Sequence, residues 1–316
     1  MKDDYAARQD GKDGSRKVIY AAILANLGIA AAKFAVALMS GSAVMLAEGI
    51  HSTVDTGNEL LLLIGEKMSA RRPDVHHPFG YGKALYFWAL VVALSVFSLG
   101  GGLSIYHGVH ALHHPAPLRD PYWNYLVLAI AAGFELYSWN VSRRALNRYR
   151  RPGMSLWQAV RTSKDASVFT VFIEDTAALL GLLVAALGLG VALLFGDPRF
   201  DAIASMLIGL LLVGAALTLA RETGHLLVGE SMGFEATRRL RAIFEADPNI
   251  ASVGRLLTMQ LGPDEVLLIA ALRFTRGMRI DEVEQAIDQL ERKVAAQYPA
   301  IRRIYVEAGA LRSAIG

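Results

Sequence analysis

The sequence contains no cysteine, which excludes disulfide bonds and thiolate sites. Any metal site must therefore use histidine, aspartate, glutamate and neutral oxygen atoms. No HExxH motif occurs either, and this disfavours an intramembrane metal hydrolase, which needs three firm protein ligands, a water and a general base. The net charge of +3 is small and unevenly placed, so we predict no nucleic-acid partner.

Long hydrophobic runs are abundant, because 53% of the residues are hydrophobic and they are gathered into blocks. A helix needs roughly 20 apolar residues to cross a hydrocarbon core of about 30 Å. Six blocks meet this length, at 18–39, 43–64, 84–106, 122–142, 168–195 and 200–220. The sequence therefore predicts an all-α membrane domain, a bundle of six transmembrane helices.

Basic residues are concentrated in alternate loops of this bundle. Seven of them lie between residues 143 and 164, whereas the three opposite loops hold only Arg119 and Arg199. The positive-inside rule then places both termini in the cytoplasm. We divide the chain into a flexible cytoplasmic N-terminus (1–17), a transmembrane domain (18–225) and a cytoplasmic C-terminal domain (226–316).

The C-terminal domain has the composition of an ordinary soluble protein. Amphipathic helical spacing occupies 234–250 and 279–299, and strand patterns occupy 252–262, 265–274 and 301–309, with a "GPDE" turn between the first two strands. This order predicts a small αββαβ, ferredoxin-like α+β domain with one sheet.

Charged side chains interrupt the second hydrophobic block. At about 100° per residue, Glu48, His51, Asp55 and Glu59 occupy one helical stripe about 80° wide. His51 and Asp55 are one turn apart, so both can hold one ion. An imidazole nitrogen with carboxylate oxygens suits zinc, and also manganese, iron or cobalt. The alternative is a structural hydrogen bond that ties helices together.

The fifth block contains a matching feature, the adjacent acids Glu174 and Asp175. Adjacent residues point about 100° apart on a helix, so one acid can reach the ion while the other faces a neighbouring helix or a proton pathway. Asp55 and Asp175 have similar predicted depths near the midplane. Lys33 in the first block is predicted to snorkel towards the outer surface, and Glu135 in the fourth is assigned no role.

Three motifs together resemble the cation diffusion facilitator family of divalent-metal/proton antiporters. "GSAVMLAEGIHSTVDTGNE" is similar to the second-helix signature, "HPFGYGK" to the loop before the third helix, and "EDTAALLG" to the fifth-helix motif. The resemblance covers nearly the whole chain. It implies that His51, Asp55 and Asp175 bind the transported metal, and that the protein is a homodimer.

The sequence departs from the family pattern at several positions. The fifth helix usually has His or Asp one turn before its aspartate, where this chain has Val171, which indicates a divergent branch. Glu174 is the nearest substitute ligand, and Glu48 or a water is another. Tyr81 stands where the loop often has histidine, so we favour a solvated loop over a metal site of Asp74, His76 and His77.

Histidines elsewhere carry less weight. No histidine or cysteine follows His225, so the C-terminal domain is expected to make dimer contacts instead of sensing zinc. Four histidines lie at the outer end of the third block, and we favour a titratable loop over a site for collecting metal; they are His107, His110, His113 and His114.

These observations predict proton-coupled efflux of a divalent cation, zinc first, from the cytoplasm by alternating access. The metal ligands are His51, Asp55 and Asp175 with Glu174 as a fourth group, and no cofactor is expected. The chain is not expected to be an enzyme. Its partners are the metal ion, protons, the lipid bilayer, here a bacterial inner membrane, and a second copy. A non-transporting metal sensor or scaffold is the alternative, ahead of the hydrolase.

Overall fold

A computed structural model describes residues 26–150 and 153–308. The predicted flexible segment 1–17 and the start of the first predicted span lie outside the described residues. The described chain is mostly helical, with a three-stranded mixed sheet near its C-terminal end. It divides into two compact units, which hold residues 26–64, 88–150 and 167–221 in the first and 65–87, 153–166 and 222–308 in the second.

Helices occupy the positions of the predicted spans. They are α1 (Asn26–Ser40 in its described part), α2 (Ala43–Ser69), α3 (Ala84–Ser95), a π-helical stretch (Val96–Gly102), α4 (Leu103–His113), α5 (Pro121–Leu146), the short α6 (Leu156–Thr162), α7 (Ala166–Phe195) and α8 (Arg199–Val228). Within the described residues, three helical segments are long and apolar enough to cross a membrane, namely Ala84–His113, Ala166–Phe195 and Arg199–Val228. The count of six crossings stays a prediction.

The start of α2 is fixed by polar groups from two helices. Gly41 takes a φ of +71°, which a glycine adopts without strain, and the Ser42 hydroxyl accepts a hydrogen bond from the Met45 N–H at 3.2 Å. The carboxylate of Asp201, in the first turn of α8, accepts from the Ser42 hydroxyl at 2.7 Å and from the Ala43 N–H at 2.6 Å. Asp201 is buried, so α8 supplies an acidic cap for α2 in addition to the local serine.

Small residues of the π-helical stretch, α4 and α8 allow their backbones to approach closely. A Cβ atom on Gly101 would lie 3.1 Å from the Gly209 carbonyl oxygen, and one on Gly209 would lie 2.9 Å from the Gly101 carbonyl oxygen. The Ser205 hydroxyl donates to the Ser104 carbonyl at 3.2 Å. These small residues therefore pack against one another within one chain.

The second unit contains the αββαβ arrangement. Its elements are α9 (Phe234–Glu245), β1 (Ile250–Gly262), β2 (Glu265–Phe274), α10 (Ile280–Gln297) and β3 (Ile301–Ala308). β1 is antiparallel to β2, and β2 is parallel to β3. A parallel pair requires a crossover, which α10 provides. The two helices cover one face of the sheet through a core that includes Leu240, Phe244, Leu268, Leu290 and Val294.

Candidate metal-transport site

The predicted stripe on α2 is present and faces the interior of the first unit. His51 is 2% exposed and Asp55 is 20% exposed, and the His51 Nδ1 and Asp55 Oδ1 atoms are 3.3 Å apart. Asn58 follows Asp55 by three residues, lies on the same face and is fully buried. The helix therefore presents one imidazole, one carboxylate and one amide in a row.

Asn58 joins this row to α7. Its Nδ2 atom donates to Glu174 Oε1 at 2.7 Å in a buried hydrogen bond. Seven residues further along α7, Gly181 lies against the other end of the row, because a Cβ atom there would be 3.0 Å from Glu48 Oε1. Residues seven apart share a helix face, so Glu174 and Gly181 define the face of α7 that lines the crevice with α2.

Asp175 faces α5 and not α2. Its Oδ1 and Oδ2 atoms accept hydrogen bonds from the hydroxyls of Ser138 and Ser142 on α5, at 3.0 and 2.8 Å. The next residue, Thr176, accepts from the indole N–H of Trp139 at 3.0 Å. Glu174 and Asp175 thus point to different helices, as adjacent positions require, and Glu174 is the acid directed at α2 in this structure.

Several buried polar atoms of the crevice have no hydrogen-bond partner among the described residues. They are both ring nitrogens of His51, Oδ1 of Asp55 and Oδ1 of Asn58. Buried polar atoms are nearly always paired, and an unpaired buried acceptor carries a cost of about 1–3 kcal/mol. These atoms have the chemistry of zinc or other divalent-cation ligands.

The predicted ligands are only partly assembled. Within residues 26–150 and 153–308, no group of three or more histidine, aspartate or glutamate side chains lies close enough to hold one metal ion. His51 and Asp55 are together, Glu174 is linked to them through Asn58, and Asp175 is on the far side of α7. The four-residue metal site therefore stays a prediction for the metal-bound state.

The prediction for Lys33 is wrong. Its ammonium group is buried and lies 2.8 Å from Glu48 Oε2 and 2.8 Å from the Ser52 hydroxyl. It is held by an ion pair with α2 and does not extend to a surface. Hydropathy predicts that a lysine in a span reaches for the interface, and a carboxylate on the neighbouring helix reverses that preference.

Sequence reasoning missed four side chains that contribute to the site. Asn58 lies about 20° from His51 on the helical wheel, so its position was available from the spacing, but an amide attracts less notice than an acid. Ser138 and Ser142 are one turn apart on α5 and hold Asp175. Glu135, on the same helix, interacts electrostatically with Asp55 and Asp175.

The loop motif "HPFGYGK" is organised by Asp74. The Tyr81 hydroxyl donates to Asp74 Oδ2 at 2.6 Å, and the backbone N–H groups of His76 and His77 donate to Oδ1 at 3.0 and 2.7 Å. The hydrogen bond from Tyr81, followed by that from the His77 backbone, holds the pKa of Asp74 below its ordinary value. Asp74 thus serves as the centre of a turn, which agrees with the expectation of a solvated loop.

Two of the histidines at the end of α4 stack on each other and are exposed at the surface. The rings of His110 and His114 are 4.7 Å apart, and both side chains are exposed. In the C-terminal sheet, Glu265 pairs with Arg303 at 3.0 Å. Neither place brings together three metal-ligating groups within the described chain.

Comparison with known proteins identifies the family of the chain. A family model described as the cation efflux transmembrane domain matches residues 19–228. The chain is 35% identical over 262 residues to the human "Proton-coupled zinc antiporter SLC30A9, mitochondrial", an alignment that covers 83% of this chain and 46% of that protein. The chain therefore spans about half the length of this relative.

Two further relatives come from a plant and a bacterium. Identity is 30% over 267 residues to "Metal tolerance protein C4" of Arabidopsis thaliana, covering 84% of this chain and 58% of that protein. It is 27% over 290 residues to "Cation-efflux pump FieF" of Escherichia coli O1:K1 / APEC, covering 92% and 90%. With apolar helices of membrane-spanning length and a family model that covers most of its sequence, the chain belongs to the cation efflux, or cation diffusion facilitator, family, whose members are membrane transporters of metal cations and not enzymes.

Proposed function

We propose that this chain exports a divalent transition metal, zinc in the first place, from the cytoplasm in exchange for protons. The printed names of the relatives, a proton-coupled zinc antiporter and a cation-efflux pump, support this proposal. We further propose a bacterial inner membrane, both termini in the cytoplasm, and a homodimer. The hydrolase alternative is excluded by membership of a transporter family.

The observation that carries the proposal is the row of potential metal-ligand atoms without hydrogen-bond partners in the α2–α7 crevice. His51, Asp55 and Asn58 present buried nitrogen and oxygen atoms that have no hydrogen-bond partner among the described residues, and Glu174 faces the same row. A divalent cation would take one of the two ring nitrogens of His51 together with the oxygens of Asp55 and Asn58, because the two nitrogens of one imidazole point in different directions. We propose that Glu174 takes the place of the ligand that the family pattern puts at the position of Val171.

Protons enter the cycle through the same groups. Histidine must be neutral and carboxylates ionised to bind a metal, so metal binding displaces protons and re-protonation on the outer side expels the metal. Movement of helices around the fixed row would alternate the access. Asp175, which faces α5 here, requires a rotation of α7 to join the row.

The test uses the purified protein in proteoliposomes with an imposed pH gradient and measures uptake of Zn²⁺, Mn²⁺, Fe²⁺ and Co²⁺ in turn. We expect Asp55→Asn and Glu174→Gln to reduce zinc flux to background, because each removes a carboxylate from the row. Comparing the zinc flux of Asp175→Asn with that of Glu174→Gln shows which of the two acids of α7 contributes more to transport. Glu66→Gln is the matched control, since Glu66 is an exposed acid on the same helix.

The outcomes separate the alternatives. Zinc flux retained in both Asp55→Asn and Glu174→Gln would refute this site. Zinc binding to the wild-type protein by calorimetry, with no flux under any gradient, would support the non-transporting sensor or scaffold instead.

A further inference from the structure

An ion pair lies beside the proposed metal row and takes no part in it. The Lys33 ammonium on α1 is 2.8 Å from Glu48 Oε2 on α2, with the two side chains 1% and 0% exposed. A third group, the Ser52 hydroxyl, accepts from the same ammonium at 2.8 Å. A buried pair of this kind costs desolvation free energy and is weak evidence for a purely stabilising role.

Glu48 lies where a metal ligand would lie. It precedes His51 by three residues and Asp55 by seven, and these spacings place all three on one face of α2. Its second oxygen, Oε1, is buried and has no hydrogen-bond partner among the described residues. That oxygen adjoins Gly181, on the face of α7 that also carries Glu174, so it opens onto the same crevice as the metal row.

The positive charge of Lys33 acts on several titratable groups of this crevice. Lys33 interacts electrostatically with His51, Asp55 and Glu135 as well as with Glu48. A permanent ammonium group occupies one oxygen of Glu48 and repels a second cation from the other. Among the acids of the α2 stripe, Glu48 therefore has its charge already matched.

We propose that Lys33 withholds Glu48 from the transported cation and thereby determines which divalent cations the site accepts. With Glu48 withheld, the row offers an imidazole with few oxygen ligands, a set that suits zinc. With Glu48 released, an added carboxylate makes the set richer in oxygen and higher in coordination number, which favours harder ions such as Mn²⁺. Lys33 is thus a specificity-determining residue that acts through Glu48.

This inference rests on the proposed function, and the experiment compares four forms of the full-length protein in the same proteoliposomes. Lys33→Met releases Glu48, Lys33→Met with Glu48→Gln removes both charges, and Ser52→Ala removes the other hydrogen bond of Lys33 while it keeps the ion pair. The readouts are Zn²⁺ and Mn²⁺ binding by calorimetry in detergent and the ratio of Zn²⁺ to Mn²⁺ flux.

We expect Lys33→Met to tighten Mn²⁺ binding by about tenfold, the scale of effects that neighbouring residues exert on metal sites, and to lower the Zn²⁺ to Mn²⁺ flux ratio accordingly. The double variant and Ser52→Ala should keep the wild-type ratio. A merely structural ion pair would affect stability in Lys33→Met and leave the metal preference unchanged.

If Lys33→Met does not fold, Glu48→Gln carries the test. The freed ammonium would then lie next to His51 and Asp55, and zinc binding should weaken by about tenfold. Equal flux ratios in the wild-type protein, Lys33→Met and the double variant, or unchanged zinc affinity in Glu48→Gln, would overturn the inference. A wild-type protein that moves no cation would instead overturn the proposed function.

Discussion

The acidic cap that α8 supplies to α2 gives a prediction that is local and measurable. Replacing Asp201 with alanine removes the acceptor of the Ala43 N–H and of the Ser42 hydroxyl, both buried. The bond from the Val44 N–H is long, at 3.3 Å, and contributes little. The first turn of α2 should then open more easily, because the Ala43 N–H has no other acceptor within the part of the chain that the structure describes.

The magnitude follows from the contacts that are lost. An unsatisfied buried N–H costs about 1–3 kcal/mol, and the loss of an acid at a helix N-terminus adds about 0.3–1 kcal/mol. Ser42 keeps its own bond to the Met45 N–H, so the helix retains a cap and the loss stays near the middle of this range. We expect about 2 kcal/mol for Asp201→Ala. Asp201→Asn should lose about 1 kcal/mol, since an amide oxygen still accepts but carries no charge.

Hydrogen exchange measures this quantity directly. A local opening that becomes about 2 kcal/mol easier speeds amide exchange roughly 30-fold. Mass spectrometry of a peptide that covers residues 40–48, with the protein in detergent, should show this acceleration in Asp201→Ala and about fivefold in Asp201→Asn. Asp197→Ala is the control, because among the described residues the carboxylate of Asp197 accepts a hydrogen bond only from the Arg199 N–H in its own turn.

Two results would refute this reasoning. Exchange of residues 40–48 that is unchanged in Asp201→Ala would show that the cap does not hold the first turn. Equal acceleration in Asp197→Ala would show that any acid in the α7–α8 turn has the same effect.

Two further predictions concern the second unit. Tyr81→Phe should raise the pKa of Asp74 towards its ordinary value, since it removes the strongest hydrogen bond that lowers this pKa. The ionised carboxylate orders the loop above the ordinary aspartate pKa, and this order is lost as the pH falls through the lowered pKa, so the variant should lose it at a higher pH. A ¹³C carboxyl titration of Asp74 by NMR would detect the shift, and an unchanged titration would contradict the assignment. Gly82→Ala should destabilise the protein by about 1–3 kcal/mol, because a Cβ there would meet the Leu261 backbone. Thermal unfolding measures the loss of stability, with Gly224→Ala as the control because a Cβ on Gly224 would lie in open space. Equal effects of the two substitutions would refute the prediction.

Local sequence pattern predicted most of the secondary structure, but neither the π-helical stretch nor the short helix α6. Apolar runs of about 20 residues and amphipathic repeats depend on neighbours within one helix turn, so the helices of the first unit and the αββαβ order followed from them. The stripe of His51 and Asp55 followed for the same reason, since helical periodicity fixes the angle between two residues of one helix.

Such patterns could not predict the contacts between helices. The burial of Lys33 depends on the rotation of α1 about its own axis relative to Glu48. The choice of Glu174 over Asp175 as the acid that faces α2 depends on the rotation of α7, and the two partners in that contact, Asn58 and Glu174, are 116 residues apart. Periodicity leaves these rotations free.

The sequence by itself determined that this is a membrane protein with acids and a histidine in its apolar helices, because the cost of burying charge in lipid makes such residues conspicuous. Only the tertiary structure decided which of those charges are neutralised by one another and which are left for a cation. Lys33 matches Glu48 and two serines hold Asp175, whereas His51 and Asp55 keep buried atoms without hydrogen-bond partners in the described chain. The physical reason is that pairing depends on distances between side chains of different helices, which packing sets and local sequence does not.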